Sequence, residues 1–423
     1  MSRKTTGLFL FAALLIQAKM VMADPIQAGE HLTLEKCLDI ARKTNPTILI
    51  TDQAIKVSES QVGQARAGYY PQLNGSTGYS RSGTDSTAGT LDNYTAGVSL
   101  TQNIYDFGKT SNWVNTEKFN LNAVIFDRDD TSRQVVFAVK EAYFQVIQTD
   151  KAREVAKEAV KQFQQHLEQA QAFYQAGTHP KFDVTKAEVD LSNARLDLIK
   201  AENAYRLALV NLNTAMGVPD APEYSLEDNI SSPQGNDITL EKVLETAYQN
   251  RPDLKAAAER RKSAGVAVAL AVKGYFPTLS GSAGYNWSGE DFPLQDEWNA
   301  GVAISFPIFD GLSTHYKINE AKSNLKTAEA REEVVKQQAF LEIKQAYLNF
   351  QEAKESLPVA EMAVKQAEEN LELANGRYKV GVGSPTEVTD AQVAYSQARY
   401  AHIQALYGYQ ITWASIENAV GVK

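Results

Sequence analysis

Apolar positions recur along this chain with two different periods, and the places where one period gives way to the other predict its elements. The spacing is helical over 33–66, 110–175 and 183–215, and again over 239–271, 314–377 and 387–420. Val160, Phe163, Leu167, Ala170 and Tyr174 step by 3, 4, 3, 4, and Ala363, Ala367, Leu371, Ala374 and Tyr378 keep the same register. Such a seam predicts a coiled coil or helical bundle. Between the helical segments the period falls to two. Leu279, Gly281, Ala283, Tyr285 and Trp287 alternate with Ser280, Ser282, Gly284, Asn286 and Ser288, and Ala300, Val302, Ile304, Phe306 and Ile308 alternate with Asn299, Gly301, Ala303, Ser305 and Pro307. Ala96, Val98, Leu100 and Ile104 repeat the pattern against Thr95, Gly97, Ser99, Thr101 and Asn103. Alternation over about ten residues, with small polar partners and Tyr or Trp near the ends, is the pattern of a membrane β-barrel strand. A sheet resting on a soluble core would alternate in the same way, so compartment has to decide.

The two sets of segments are copies. Leu32-Thr33-Leu34-Glu35-Lys36 returns as Ile238-Thr239-Leu240-Glu241-Lys242 at an offset of 206, which also relates Gly68-Tyr69-Tyr70-Pro71 to Gly274-Tyr275-Phe276-Pro277. After a two-residue gap between Tyr79 and Ala96 the offset is 204, relating Tyr174 to Tyr378, Gly177 to Gly381 and Ala194-Arg195 to Ala398-Arg399. A unit of about 200 residues has been duplicated once, a period far longer than that of solenoid repeats. The predicted organisation is a leader over 1–23, a first repeat over 24–218, a Pro-, Gly- and acid-containing linker over 219–237, and a second repeat over 238–423.

Arg3 and Lys4, the apolar run Gly7 to Ile16 and the small residues around Ala23 read as a secretory signal peptide, too short in its apolar part to span a bilayer. Loss of its three cations with no acidic residue takes the formal net charge from −9 to −12. That acidity argues against a nucleic-acid partner. A single cysteine, Cys37, excludes an intrachain disulfide and is expected to be a small buried apolar group. His31, His166, His179, His315 and His402 stand in no metal-binding or catalytic motif, and no phosphate loop or nucleophile elbow accompanies them. The reading is therefore not an enzyme, with no cofactor and no metal.

No later stretch is apolar for long enough to be a membrane helix, so strands must carry any membrane insertion. Four strands cannot close alone, whereas three copies give twelve. At about 1.5 Å per residue, 110–175 would be roughly 100 Å long and 33–66 and 183–215 about 50 Å each, so two short helices stacked end to end match one long one. The predicted fold is thus mainly α with a pair of transmembrane β-hairpins: a trimeric twelve-stranded barrel continued by a barrel of twelve helical columns, with the linker in a belt at mid-height. A coiled-coil adaptor or tether without a pore is the alternative, and it would leave the strands without a purpose.

These residues carry a resemblance over the whole mature length. The Thr-Leu-Glu openings, Tyr69-Tyr70-Pro71-Gln72-Leu73 and Tyr275-Phe276-Pro277-Thr278-Leu279, Ile104-Tyr105-Asp106-Phe107-Gly108 and Ile308-Phe309-Asp310-Gly311, the Tyr-x-x-Gly turns and the closing Ala-x-Gly-Val are similar to those of the TolC family of outer-membrane efflux and secretion proteins. The resemblance implies a homotrimeric conduit in outer-membrane lipid that extends into the periplasm. It would dock on a periplasmic adaptor (membrane fusion) protein and an inner-membrane pump of the RND or ABC type. It further implies a gate at the periplasmic end. By position the constricting carboxylates match Glu387 and Asp390, and the lock tyrosine matches Tyr378. Tyr174, Asp183 and Lys186 are the first-copy equivalents. Ala176, Gly177 and Thr178, with Val380, Gly381 and Val382, match the tips that adaptors grip. Where relatives often carry arginine in the turn, this chain has Gly383.

Overall fold

The computed structural model describes residues 26–83, 90–228 and 238–421; the signal-peptide reading and most of the linker's second half fall outside them. The first copy runs β1 (His31–Leu32), α1 (Leu34–Thr44), α2 (Pro46–Arg66), β2 (Gln72–Gly83), β3 (Thr90–Tyr105), α3 (Lys109–Gln175) and α4 (Lys181–Met216). After β4 (Ser225–Leu226) the second copy runs α5 (Leu240–Asn250), α6 (Pro252–Val272), β5 (Thr278–Gly289), β6 (Gln295–Ser305), α7 (Ser313–Lys379) and α8 (Pro385–Val420).

Two expectations are corrected. The opening helical segment of each copy is two helices rather than one, broken at Asn45–Pro46 and Arg251–Pro252. Proline pushes the residue before it out of the helical region, and Asn45 sits at φ −64°, ψ 120°. Its side chain then caps α2 by accepting from Thr47 N at 2.9 Å. The strand expected to reach Ile308 ends at Ser305, because Pro307 has no N–H to give a ladder.

Both long helices have 67 residues, or about 100 Å. The stacking of short helices along them is direct: Thr44 Oγ1 donates to Met216 O at 2.7 Å and Asn45 Nδ2 to Ala215 O at 2.8 Å, so the α1–α2 junction butts against the end of α4. Gly217 makes this possible. It turns the chain at φ +79°, and a Cβ there would lie 2.8 Å from Asn45 Cα and Thr44 O. Arg251, 1% exposed, takes the corresponding place in the second copy, reaching Ala419 O at 3.3 Å, Asp253 at 2.6 Å and Glu342 at 2.8 Å. The main apolar core lies at this level, where Leu32, Cys37, Ile40, Val139, Leu212 and Met216 pack under the β1–β4 pair.

The four long strands form one antiparallel sheet in the order β2-β3-β5-β6. β3 pairs with β5, joining the two copies, with Val98 opposite Tyr285 and Thr101 opposite Ser282. Neither β2 nor β6 has a second neighbour among the described residues. Asp106 closes the strand-to-helix turn by accepting from Gly108 N at 3.0 Å and Thr110 N at 2.8 Å, and Asp310 accepts from Thr314 N at 2.8 Å in the second copy.

Candidate functional site: the tips and latch of the helical hairpins

At the end far from the sheet, α3 and α7 each terminate on a left-handed glycine, Gly177 (φ +73°) and Gly381 (φ +78°). Thr178 N donates to Phe173 O at 3.0 Å and Val382 N to Arg377 O at 3.1 Å, satisfying carbonyls that the helix leaves free. The tips differ in chemistry. Ala176, Gly177 and Thr178 are exposed and mild, whereas Val380 and Val382 point into solvent at 73% and 67% exposure. Ser384 caps α8 by accepting from Glu387 N at 3.2 Å, and Pro385 opens that helix.

The two hairpins lean on each other through one face of α8. Thr389 Oγ1 donates to Asp190 Oδ2 of α4 at 3.0 Å, Gln392 Nε2 bonds Gln162 Oε1 of α3, and Arg399 pairs with Glu158 of α3. Asp190 also holds Lys186 at 3.2 Å. Above this ladder Tyr378 is fully buried, its ring 5.4 Å from His166, 5.6 Å from Phe173 and 5.8 Å from His179. Its hydroxyl has no hydrogen-bond partner among the described residues. Burial, and then the charge of Asp183, push its pKa up. Burial also lowers that of His166, against the pull of Asp190. A polar cavity of about 460 Å³ remains between the hairpins, lined by Gln162, His166, Gln169, Lys379, Thr389 and Gln392 among others.

The residues singled out from sequence are thus only partly brought together. Tyr378 and Asp183 lie at the hairpin junction, and Lys186 is tied to Asp190. Tyr174, which matches Tyr378 in position, is 47% exposed and apart from it. Glu387 and Asp390 are exposed, beside the buried Val388 and Ala391 on α8. Glu387 is paired with Arg377 Nε at 3.3 Å. The turn explains the missing arginine: Gly383 N donates to Arg377 O at 3.0 Å, and a Cβ on Gly383 would lie 2.9 Å from Tyr378 N. A side chain there would require the backbone of the turn to shift, and Arg377 reaches Glu387 across the turn from α7. The ladder residues Glu158, Gln162, Asp190, Thr389, Gln392 and Arg399 were not among the expected site. Their only sequence signal is the polar spacing 389, 392, 399 on one face of α8, and a solvated face looks the same.

A membrane-type sheet running into two full-length helical hairpins defines an outer-membrane tunnel subunit, built to continue a barrel across the periplasm. The chain belongs to the outer membrane efflux protein family, whose model matches residues 37–218 and 243–422. The protein CyaE of Bordetella pertussis is 27% identical over 92% of this chain and 83% of its own length. The outer membrane protein TolC of Vibrio cholerae is 23% identical over 99% and 95%. Among solved structures, the Campylobacter jejuni CmeC outer membrane channel aligns with a TM-score of 0.81 at 20% identity, covering 92% of this chain and 85% of that one. The open state of the Neisseria gonorrhoeae MtrE outer membrane channel aligns at 0.80 and 20%, covering 95% and 96%. The protein is an outer-membrane efflux channel subunit with a periplasmic extension, not an adaptor.

Proposed function

We propose that three copies of this chain close a twelve-stranded barrel and a continuous helical tunnel, and that the hairpin ends form its periplasmic gate. The observation that carries the trimer is the sheet with two unpaired edges, since an open edge is not tolerated in lipid. The tunnel is passive. An inner-membrane pump of the RND or ABC type, coupled through an adaptor gripping the tips at Ala176-Gly177-Thr178 and Val380-Gly381-Val382, supplies energy and selects cargo. Relatives named for cation efflux and for pyoverdine export are compatible with one conduit serving different pumps.

In this reading Glu387 and Asp390, three residues apart and exposed on one face of α8, gather into a ring of six carboxylates at the constriction. The ring would prefer cations and bind divalent ions. Arg377 tempers each Glu387, but both partners are about half exposed, so the pair is weak. Single-channel recording of Glu387→Ala with Asp390→Ala tests the gate: loss of cation preference and of divalent block is expected, and unchanged selectivity removes these carboxylates from the lumen. Gly177→Asp and Gly381→Asp test docking. Export is expected to fail while the trimer still assembles.

A further inference from the structure

The cavity between the hairpins is lined by a polar side chain that nothing else in the fold satisfies. His166 is 8% exposed there, and neither of its ring nitrogens has a hydrogen-bond partner among the described residues. A neutral imidazole keeps one donor and one acceptor whatever its tautomer, and a buried group left unpaired marks a place for water or an ion. The polar lining comes from three helices: Gln162 and His166 of α3, Asn375 and Lys379 of α7, and Thr389 and Gln392 of α8. No carboxylate lines the cavity, and Lys379 has no ion-pair partner among the described residues. Two carboxylates of α4 bear on His166 from outside the lining, Asp190 and Asp183. Asp190 is already met by Lys186 at 3.2 Å and by Thr389 Oγ1 at 3.0 Å.

We propose that this cavity binds a small oxyanion, phosphate being the simplest, through groups that include His166 and Lys379, and that the bound anion joins α3 to α7 and α8. Binding stands on the cavity alone; its hold on the tunnel rests on the reading of the hairpin ends as a gate. The imidazole N–H, the ammonium and the side-chain amides are all donors, and hydrogen bonds to a charged acceptor are about twice as strong as neutral ones. A volume of about 460 Å³ takes a phosphate together with several waters, each water needing about 30 Å³. The anion reaches both hairpins only while they lie together, so its binding favours the latched arrangement over the open one.

The duplication supplies an independent comparison. At the offset of 204 the positions of His166, Lys379 and Gln392 are held in the other copy by Asn370, Gln175 and Glu188, while Thr389 matches Thr185. All three differences run one way: histidine against asparagine, lysine against glutamine, and glutamine against glutamate. The equivalent set carries a formal charge of −1 from Glu188, and the set around the cavity carries +1 from Lys379 before any proton binds His166. A lysine in the last turn also complements the dipole of its helix, but Gln175 ends α3 without that help. Positive charge gained together at three positions that share one cavity is what an anionic ligand requires.

Titration of the detergent-solubilised full-length protein with inorganic phosphate tests the site, at fixed ionic strength with chloride as the balancing anion. The thermal unfolding midpoint should rise with phosphate and saturate, as it does for a ligand bound only by the folded state. Lys379→Gln places the other copy's residue at an exposed position, so it should leave the midpoint in chloride unchanged and weaken the apparent affinity at least tenfold. His166→Asn should weaken it as well, and Lys365→Gln, exposed elsewhere on α7, should bind like the parent. Phosphate also stabilises proteins by exclusion from their surface, without saturating. A rise that does not saturate, or that both cavity variants retain, is that general effect and overturns the site. Single-channel recording is the second arm: phosphate on the side of the hairpin tips should lengthen closed dwells severalfold in the parent and not in Lys379→Gln. Saturable binding that needs Lys379 but leaves the dwells unchanged upholds the site and overturns its hold on a gate.

Discussion

Replacing Tyr378 by phenylalanine removes one oxygen from the junction of the hairpins, and the structure gives that change an unusual sign. The family resemblance casts this tyrosine as a lock, which would require its hydroxyl to hold something. Here the side chain is 1% exposed, and the hydroxyl is buried with no partner among the described residues. A buried, unsatisfied polar group costs about 1–3 kcal/mol. Tyr378→Phe should therefore leave the latched hairpins unchanged or tighten them by about 1 kcal/mol, roughly a fivefold shift toward the closed arrangement. What holds is the ring, in edge and tilted contacts with Phe173, His166 and His179 at 5.4 to 5.8 Å. Tyr378→Ala should cost about 3–5 kcal/mol, the usual range for emptying an aromatic site. Single-channel conductance in planar bilayers separates these roles: the phenylalanine channel should conduct like the parent, and the alanine channel should dwell in a wider state. A severalfold higher conductance for Tyr378→Phe refutes the argument and means that the hydroxyl finds its partner across the subunit boundary.

Reversing the ladder at its best-defined ion pair, by Arg399→Glu opposite Glu158, should open the channel where Arg399→Ala changes little, since both side chains are about a third or more exposed; the readout is again conductance. His166 is held below its ordinary pKa by burial, so the unfolded or unlatched state binds the proton more readily. Its stabilising contribution is present above about pH 6.5 and is lost as pH falls below it. Asp190 and Asp183 of α4 moderate this effect, while Lys186 reinforces it. Acidification should raise open dwell times in the parent and not in His166→Phe, and equal pH profiles would rule the residue out. Gly217→Ala should lower the thermal stability of the detergent-solubilised protein by more than about 1–2 kcal/mol, because it needs both φ +79° and the space in which Asn45 Cα lies; a neutral result would show that the α1–α4 junction can give way.

The architecture was legible because each level left its own trace. Period-two runs marked the strands, heptad seams the hairpins, and an offset that shifts only once the duplication, so the paired long helices and the short helices stacked on them followed from lengths alone. The breaks at Pro46 and Pro252 were masked by the helical spacing on either side, although proline favours a break there. The latch was less visible. Thr389, Gln392 and Arg399 are polar residues on a long helix, indistinguishable from a solvated face until α3 is known to pass beside them. Tyr174 and Tyr378 share a motif and a register, yet one is exposed and the other buried, because only the second lies where another hairpin covers it. Position within a copy is local information; which copy is covered is not.

Fusing two copies in one chain also alters how the conduit is assembled. A ring of three such chains has six boundaries between hairpins, and three of them, the β3–β5 joins, exist before any two subunits meet. Encounters then number two rather than five, because the last boundary closes within the assembled ring, so the yield of closed rings falls far less steeply as the protein is diluted than it would for six separate half-length pieces. The cost is that every lone subunit waits with β2 and β6 bare, a strand at each side able to recruit any passing edge. The faster the ring closes in the bilayer, the shorter the time those edges stay bare.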